Sequence, residues 1–197
     1  MTDQTDHIYI ERILAGEPQV YTFLVEKYKN MIFTMVVKML KNTEEAEEVA
    51  QDVFVKAYKA LPRFKGEAKF STWIYRIAYN TSLDAIKKQK RVVYSDNIDQ
   101  INEGDLGVMQ DALGYMEDKE RKAVINGALM QLPEVDVTMI TLYYFEELSL
   151  KEIAAIVGQS VSNVKVKLFR GRKKLLGILK TKLDPETLSI YERERTR

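Results

Sequence analysis

An all-α fold is predicted by three features of the sequence. Apolar residues recur at spacings of three and four along most of the chain, and no segment alternates apolar and polar residues as a half-buried strand would. Only 4 prolines and 9 glycines occur in 197 residues, which leaves room for long helices. Near the C-terminal end, two short periodic segments flank a glycine, the pattern of a helix-turn-helix. Hydrophobic residues make up 46% of the chain, enough for a packed core in one large or two small domains.

The elements follow in order. A short helix is predicted over residues 7–15, ended by Gly16. A long one over 17–40 carries Phe23, Leu24, Tyr28, Met31, Met35 and Met39 as its apolar stripe. Asn42 and Thr43 then offer a cap, with acids in the turn behind them, where the helix dipole favours negative charge. The clearest helix repeats Ala46, Val49, Ala50, Val53, Phe54, Ala57, Tyr58 and Leu61 at helical spacing, and Pro62 stops it. Residues 63–70 read as a loop around Gly66. Ser71 is expected to cap a helix reaching about Gln89, with Ile74, Ile77, Ala78, Thr81 and Ala85 on one side.

Composition changes at Arg91. From Val92 to Asp118 there are seven acids and no Lys or Arg, which reads as a flexible linker. Helical pattern resumes over 120–131, and Pro133 suits the first turn of a helix over 134–146. In the helix-turn-helix, Leu150, Ile153, Ala154 and Val157 line one face of the first helix. Gly158 supplies a left-handed turn, and Ser160 caps a second helix with Val161, Val164 and Leu168 inside. Its outer face carries Ser162, Asn163, Lys165, Val166, Lys167 and Arg170, suited to a DNA major groove: small polar tips near base edges, cations near phosphates. This helix is extended to about Leu179, although Gly171 and Gly177 weaken the extension. The final residues are expected to fray.

Net charge is +1, yet the distribution is uneven: residues 160–183 hold eight Lys or Arg and no acid. The chain has no cysteine, which excludes disulfides, thiol catalysis and cysteine-ligated zinc. Its one histidine, His7, reads as a surface residue, since a metal site needs several ligands. The first residues lack the charged and apolar regions of a signal peptide, and no apolar run is long enough to span a membrane; a cytoplasmic location is the expectation.

Two constellations remain. Glu44, Glu45, Glu47, Glu48 and Asp52 place carboxylates four apart on a helix face, which is either a solvated face or a docking surface for a basic partner. Residues 64–80 combine Phe64, Phe70, Trp73, Tyr75 and Tyr79 with Lys65, Lys69 and Arg76 around Gly66, Ser71 and Thr72. Such a stretch has the parts to hold an unstacked base: aromatic faces to stack it, polar groups to read its edge, cations for the phosphates. Phe64 and Trp73 serve equally well as core.

Two basic DNA-facing elements on separate helical segments, joined by an acidic tether, resemble the bacterial RNA polymerase sigma factors of the extracytoplasmic-function (ECF) group of the sigma-70 family. The resemblance spans about residues 9–179. Glu45-Ala46-Glu47-Glu48-Val49-Ala50-Gln51-Asp52-Val53-Phe54 is similar to the family's core-polymerase-binding helix, residues 64–80 to the segment that opens and reads the −10 element, and Leu132-Pro133-Glu134 with the helix-turn-helix to the −35-reading domain. The resemblance implies sigma region 2 over 7–91, an acidic linker over 92–118, sigma region 4 over 119–180 and a tail over 181–197. It implies docking on polymerase through Glu48, Gln51 and Asp52. It implies −10 contacts from Lys65, Gly66, Lys69, Phe70, Ser71, Thr72, Trp73, Arg76 and Asn80, and −35 contacts from Ser160, Val161, Ser162, Asn163, Lys165, Val166, Lys167 and Arg170. It further implies promoter DNA, core polymerase and an anti-sigma factor as partners, with no cofactor, no metal and no chemistry of the chain's own. Asn163, Val166 and Lys167 stand where the family often has Thr, Ser and Arg, and Gly171 where it often has Ala, so a −35 sequence cannot be borrowed from a relative. The alternatives are a two-domain regulator acting without the polymerase, which would need a dimer to read paired half-sites, and an enzyme using the acidic cluster as a metal site, which lacks His and Cys ligands.

Overall fold

The computed structural model describes residues 4–89 and 118–182. The acidic linker, apart from Asp118, and the tail from residue 183 lie outside the described residues. Among the described residues there are eight α-helices and no strand: α1 (Gln4–Leu14), α2 (Tyr21–Leu40), α3 (Thr43–Ala60), α4 (Phe70–Gln89), α5 (Asp118–Leu129), α6 (Glu134–Tyr144), α7 (Leu150–Val157) and α8 (Val161–Lys182). The all-α expectation stands. Asp118 begins α5 rather than closing the linker.

The boundaries differ from the sequence reading for local reasons. The long helix foreseen from residue 17 starts as a 3-10 turn, Pro18–Val20, with Pro18 in its first position, and α2 follows at Tyr21. α4 begins at Phe70, and the Trp73 N–H bonds to the Lys69 carbonyl, so Ser71 sits inside the first turn and is not its cap. Pro133 is the residue before α6, with the extended ψ of 150° typical of a cap position. Asn42 does cap α3: its Oδ1 accepts the Glu45 N–H at 3.2 Å. α8 runs unbroken through both Gly171 and Gly177. Gly171 is explained by packing, since a Cβ there would lie 3.3 Å from Ile140 Cδ1 and 3.4 Å from Asp136 Cβ, so α8 approaches α6 closely.

The first half is a helical bundle in which α2 packs against α3 and α4, and α3 against α4. Leu24, Ile32, Met35, Met39, Val53, Leu61, Phe70 and Ile74 are buried at its centre. Phe23, expected in that stripe, is instead exposed and stacks on Tyr9 with ring centroids 5.1 Å apart. A buried carboxylate fastens α1: Asp6 accepts from Lys27 Nζ at 2.7 Å and from the Tyr28 hydroxyl at 2.5 Å. In the second half α8 is the spine against which α5, α6 and α7 pack. Most of the buried apolar side chains of the two halves form one continuous cluster, because α7 also lies against α4 and α6 against α2.

Candidate nucleic-acid and protein interfaces

The helix-turn-helix is built as its sequence requires. Ile153, Ala154 and Val157 of α7 and Val164 and Leu168 of α8 are buried. Gly158 ends α7 at φ +66°, the left-handed region that an L side chain enters at a cost. A Cβ at Gly158 meets nothing within 4 Å, so the whole penalty is backbone strain. Gly158→Ala is therefore expected to destabilise the protein by about 1 kcal/mol in chemical denaturation. Ser160 Oγ accepts the Asn163 N–H at 3.2 Å and so starts α8 where predicted. That start turns Ser162, Asn163, Lys165, Val166 and Arg170 outward, with Lys167 half-buried beside them. Val166, a large apolar side chain 49% exposed on this polar face, suits contact with a thymine methyl.

Residues 64–80 separate into two sets. Lys65, Gly66, Lys69, Arg76 and Asn80 are exposed, while Ser71 and Trp73 are half-buried. Gly66 takes φ +71°, which lets the loop turn without strain. Phe70 and Thr72 are buried. Phe70 is enclosed by other rings, 5.4 Å from Tyr28, 5.7 Å from Phe64 and 5.5 Å from Trp73, measured between centroids. An aromatic ring with no exposed face cannot stack a base, so Phe70 is not the platform that the sequence suggests; it supports the loop from beneath. Trp73, 5.2 Å from Phe64, keeps one part in this cluster and one toward solvent.

The acidic helix presents Glu44, Glu47, Glu48, Gln51 and Asp52 to solvent, with Ala46, Val49, Ala50 and Val53 turned into the core. Glu48 and Asp52 border a groove between α3 and α4 whose other wall includes Thr81, Asp84 and Lys88. Lys56 spans it, donating to Thr81 Oγ1 at 3.3 Å.

Sequence reasoning missed Ser149 and Glu152. They form a capping box at the start of α7: Glu152 Oε2 accepts the Ser149 N–H at 2.9 Å, and Ser149 Oγ accepts the Glu152 N–H at 3.3 Å. The Ser-x-x-Glu spacing before an apolar run was a signal available to find it. The other carboxylate oxygen of Glu152 lies 2.8 Å from Lys69 Nζ, across from the first half. Burial pushes the Glu152 carboxyl up, but the bonds from Lys69 and Ser149 outweigh it and hold the group down at about 2. No described helix is long and apolar enough to cross a membrane.

Comparison with known proteins agrees with this layout. Residues 24–92 match the family model Sigma-70 region 2, and residues 122–175 match Sigma-70, region 4. The chain is 33% identical over 184 residues to the RNA polymerase sigma-H factor of Pseudomonas aeruginosa, covering 88% of this chain and 93% of that one. It is 35% identical over 175 residues to the ECF RNA polymerase sigma factor SigW of Bacillus subtilis, covering 84% and 92%. It is 32% identical over 180 residues to the ECF RNA polymerase sigma-E factor of Escherichia coli, covering 88% and 94%. Among solved structures, RpoE in complex with the anti-sigma factor NepR from Bartonella quintana shares the fold at TM-score 0.62 and 18% identity, over 81% of this chain and 96% of that one. CnrH in complex with the cytosolic domain of CnrY does so at TM-score 0.57 and 22% identity, over 89% and 97%. With both sigma regions matched in order and relatives of this identity along nearly their whole length, the chain belongs to the sigma-70 family of RNA polymerase sigma factors, in its ECF group.

Proposed function

We propose that this chain is a sigma initiation factor that binds core RNA polymerase and directs it to promoters by reading a −10 and a −35 element. It forms no bond itself; the catalytic metal belongs to the core enzyme, and the chain acts where that enzyme is, in the cytoplasm. The observation that carries the reading is the outward face of α8, where small polar and cationic side chains stand exposed together while Val164 and Leu168 hold the helix to its base. Ser160, Ser162, Asn163, Lys165, Val166, Lys167 and Arg170 would meet the −35 groove, the first three nearest the base edges, while Val161, half-buried against the core, helps to hold the helix in place. Lys65, Gly66, Lys69, Ser71, Trp73, Arg76 and Asn80 would receive the unpaired −10 strand, with the buried Phe70 and Thr72 supporting the loop from beneath. Glu48, Gln51 and Asp52 would dock on the polymerase. Residues 7–91 and 119–180 act as sigma regions 2 and 4, and residues 92–118 connect them. An anti-sigma factor is the expected regulator; a relative of the same fold, RpoE, is held by one.

Lys165 and Asn163 separate affinity from specificity. Lys165→Ala is expected to weaken binding to all duplexes and to lower the salt slope by about one, because it removes one phosphate contact. Asn163→Ala is expected to change the preferred base at one −35 position, with discrimination of about 1–3 kcal/mol lost there. A salt titration of duplex affinity checks the first, and a selection on randomised −35 sites the second. Unchanged base preference in the Asn163 variant would remove that residue from the base-reading set.

A further inference from the structure

The outward face of α8 has an uncharged middle. Ser162, Asn163 and Val166 stand exposed together in its first two turns. Lys165 and Lys167 lie on their two flanks, and Arg170 and Lys173 follow further along the helix. Phe169 is half-buried and carries Lys173 over its ring at 4.7 Å, so Val166 is the large apolar side chain that this face leaves open. No acid occurs in residues 160–183, so no carboxylate is at hand to accept from a cytosine amino group. Base edges form the floor of a major groove and phosphates its walls. The layout of the face matches that arrangement, with uncharged groups in the middle and cations at the sides.

Two of the central side chains have a definite chemistry. Asn163 sits in the first turn, where Ser160 Oγ accepts its N–H at 3.2 Å and fixes the backbone beneath it. Its exposed carboxamide has no partner among the described residues, which leaves a donor and an acceptor free side by side. That pair matches the N7 acceptor and N6 donor of adenine in two bonds. Val166 has no polar atom. Pressed on a cytosine it would strip water from the amino group without replacing the bond. Against a thymine it meets the C5 methyl group. The two residues are three apart, about 4.5 Å along the helix axis, close to the rise of about 3.4 Å between base pairs. They therefore address neighbouring pairs. Neither is the residue that the family often has at its position, so the combination is this chain's own.

We propose that α8 reads an A·T step directly: Asn163 takes the N6 and N7 edge of an adenine, and Val166 takes the methyl group of a thymine in the adjacent pair. The −35 element of this chain then contains two neighbouring A·T pairs, recognised by their atoms and not by the shape of the duplex. This rests on the reading of α8 as the −35 surface.

Holoenzyme reconstituted from the full chain and core polymerase tests it. Selection on promoters with randomised −35 positions is expected to return the A·T step. Two base analogues then change single groups within it. Uracil in place of thymine deletes only the C5 methyl, and 7-deazaadenine in place of adenine replaces only N7. The wild type is expected to bind the uracil promoter about fourfold more weakly, as the loss of one buried methyl group implies. It is expected to bind the 7-deazaadenine promoter about fivefold more weakly, as the loss of one hydrogen bond implies. Val166→Ala withdraws the side chain's methyl groups and should lose the response to uracil while keeping the response to 7-deazaadenine. Asn163→Ala should do the reverse. Both side chains are exposed and the helix is held by Val164 and Leu168, so each variant should keep wild-type helicity and core affinity. A selected element without adjacent A·T pairs overturns the proposal. So does a step at which both analogues cost the variants as much as the wild type, because the duplex is then read by its shape. A holoenzyme with no −35 preference, or with one that no α8 variant changes, removes the −35 assignment itself and the adenine–thymine pair with it.

Discussion

Phe70→Ala is expected to destabilise the protein by about 3–5 kcal/mol, as large-to-small changes at fully buried aromatics do. The ring is completely enclosed and touches the Tyr28, Phe64 and Trp73 rings, so truncation opens a cavity at the junction of α2, α4 and the loop before α4. Aromatic pairs add to this loss beyond the area they bury. The drop should appear as a lower midpoint in chemical denaturation with little change in its slope. Phe70→Leu fills more of the space and should cost much less, and a folded Phe70→Leu protein should still bind the −10 strand. The opposite result, wild-type stability in Phe70→Ala with strand binding lost, would return Phe70 to the base platform that the sequence suggested.

Reversing two charges on α3 should be nearly as severe for docking while leaving the fold intact. Glu48 and Asp52 are exposed, and the residues that anchor this helix, Val49 and Val53, point the other way. The helix cap is made by Asn42 and Glu45 and is untouched. Glu48→Lys with Asp52→Lys is therefore expected to keep wild-type helicity. Its affinity for core polymerase should fall at least about tenfold, because like charges brought together at an interface cost several kcal/mol. Co-purification with core and a titration of its affinity read this directly. Undiminished binding by the folded double variant would make the acidic face a solvated surface and nothing more.

The fold was legible where local chemistry decides it. Gly158, Ser160 and the buried positions Ile153, Val157, Val164 and Leu168 define the helix-turn-helix by spacing alone, and the structure places each as its pattern requires. The exposed acids of α3 were equally plain, since periodicity alone assigns them to the face away from Val49 and Val53. The aromatic cluster was not. Phe64, Phe70 and Trp73 carry the same side-chain chemistry whether they face a base or one another, and only their packing against Tyr28 separates them. Helix starts differ by a residue or more where the carbonyl of Lys69, rather than the hydroxyl of Ser71, begins the hydrogen-bond ladder. The contacts between the halves had no sequence signal at all. Lys69 and Glu152, or Lys41 and the Leu132 carbonyl, are far apart along the chain, and nothing in either neighbourhood names its partner. Gly171 illustrates the converse: its composition argued against a continuous α8, yet close approach to Ile140 is what a glycine there permits.

The most direct measurement is transcription in vitro with the full chain, purified core polymerase and genomic DNA, mapping every start site. Start sites that appear only when the chain is added, each preceded by the same pair of sequence elements at constant spacing, are the predicted result. A chain that binds those DNA segments tightly by itself, yet neither associates with core polymerase nor creates new start sites, would contradict the account and establish a regulator that works apart from the enzyme.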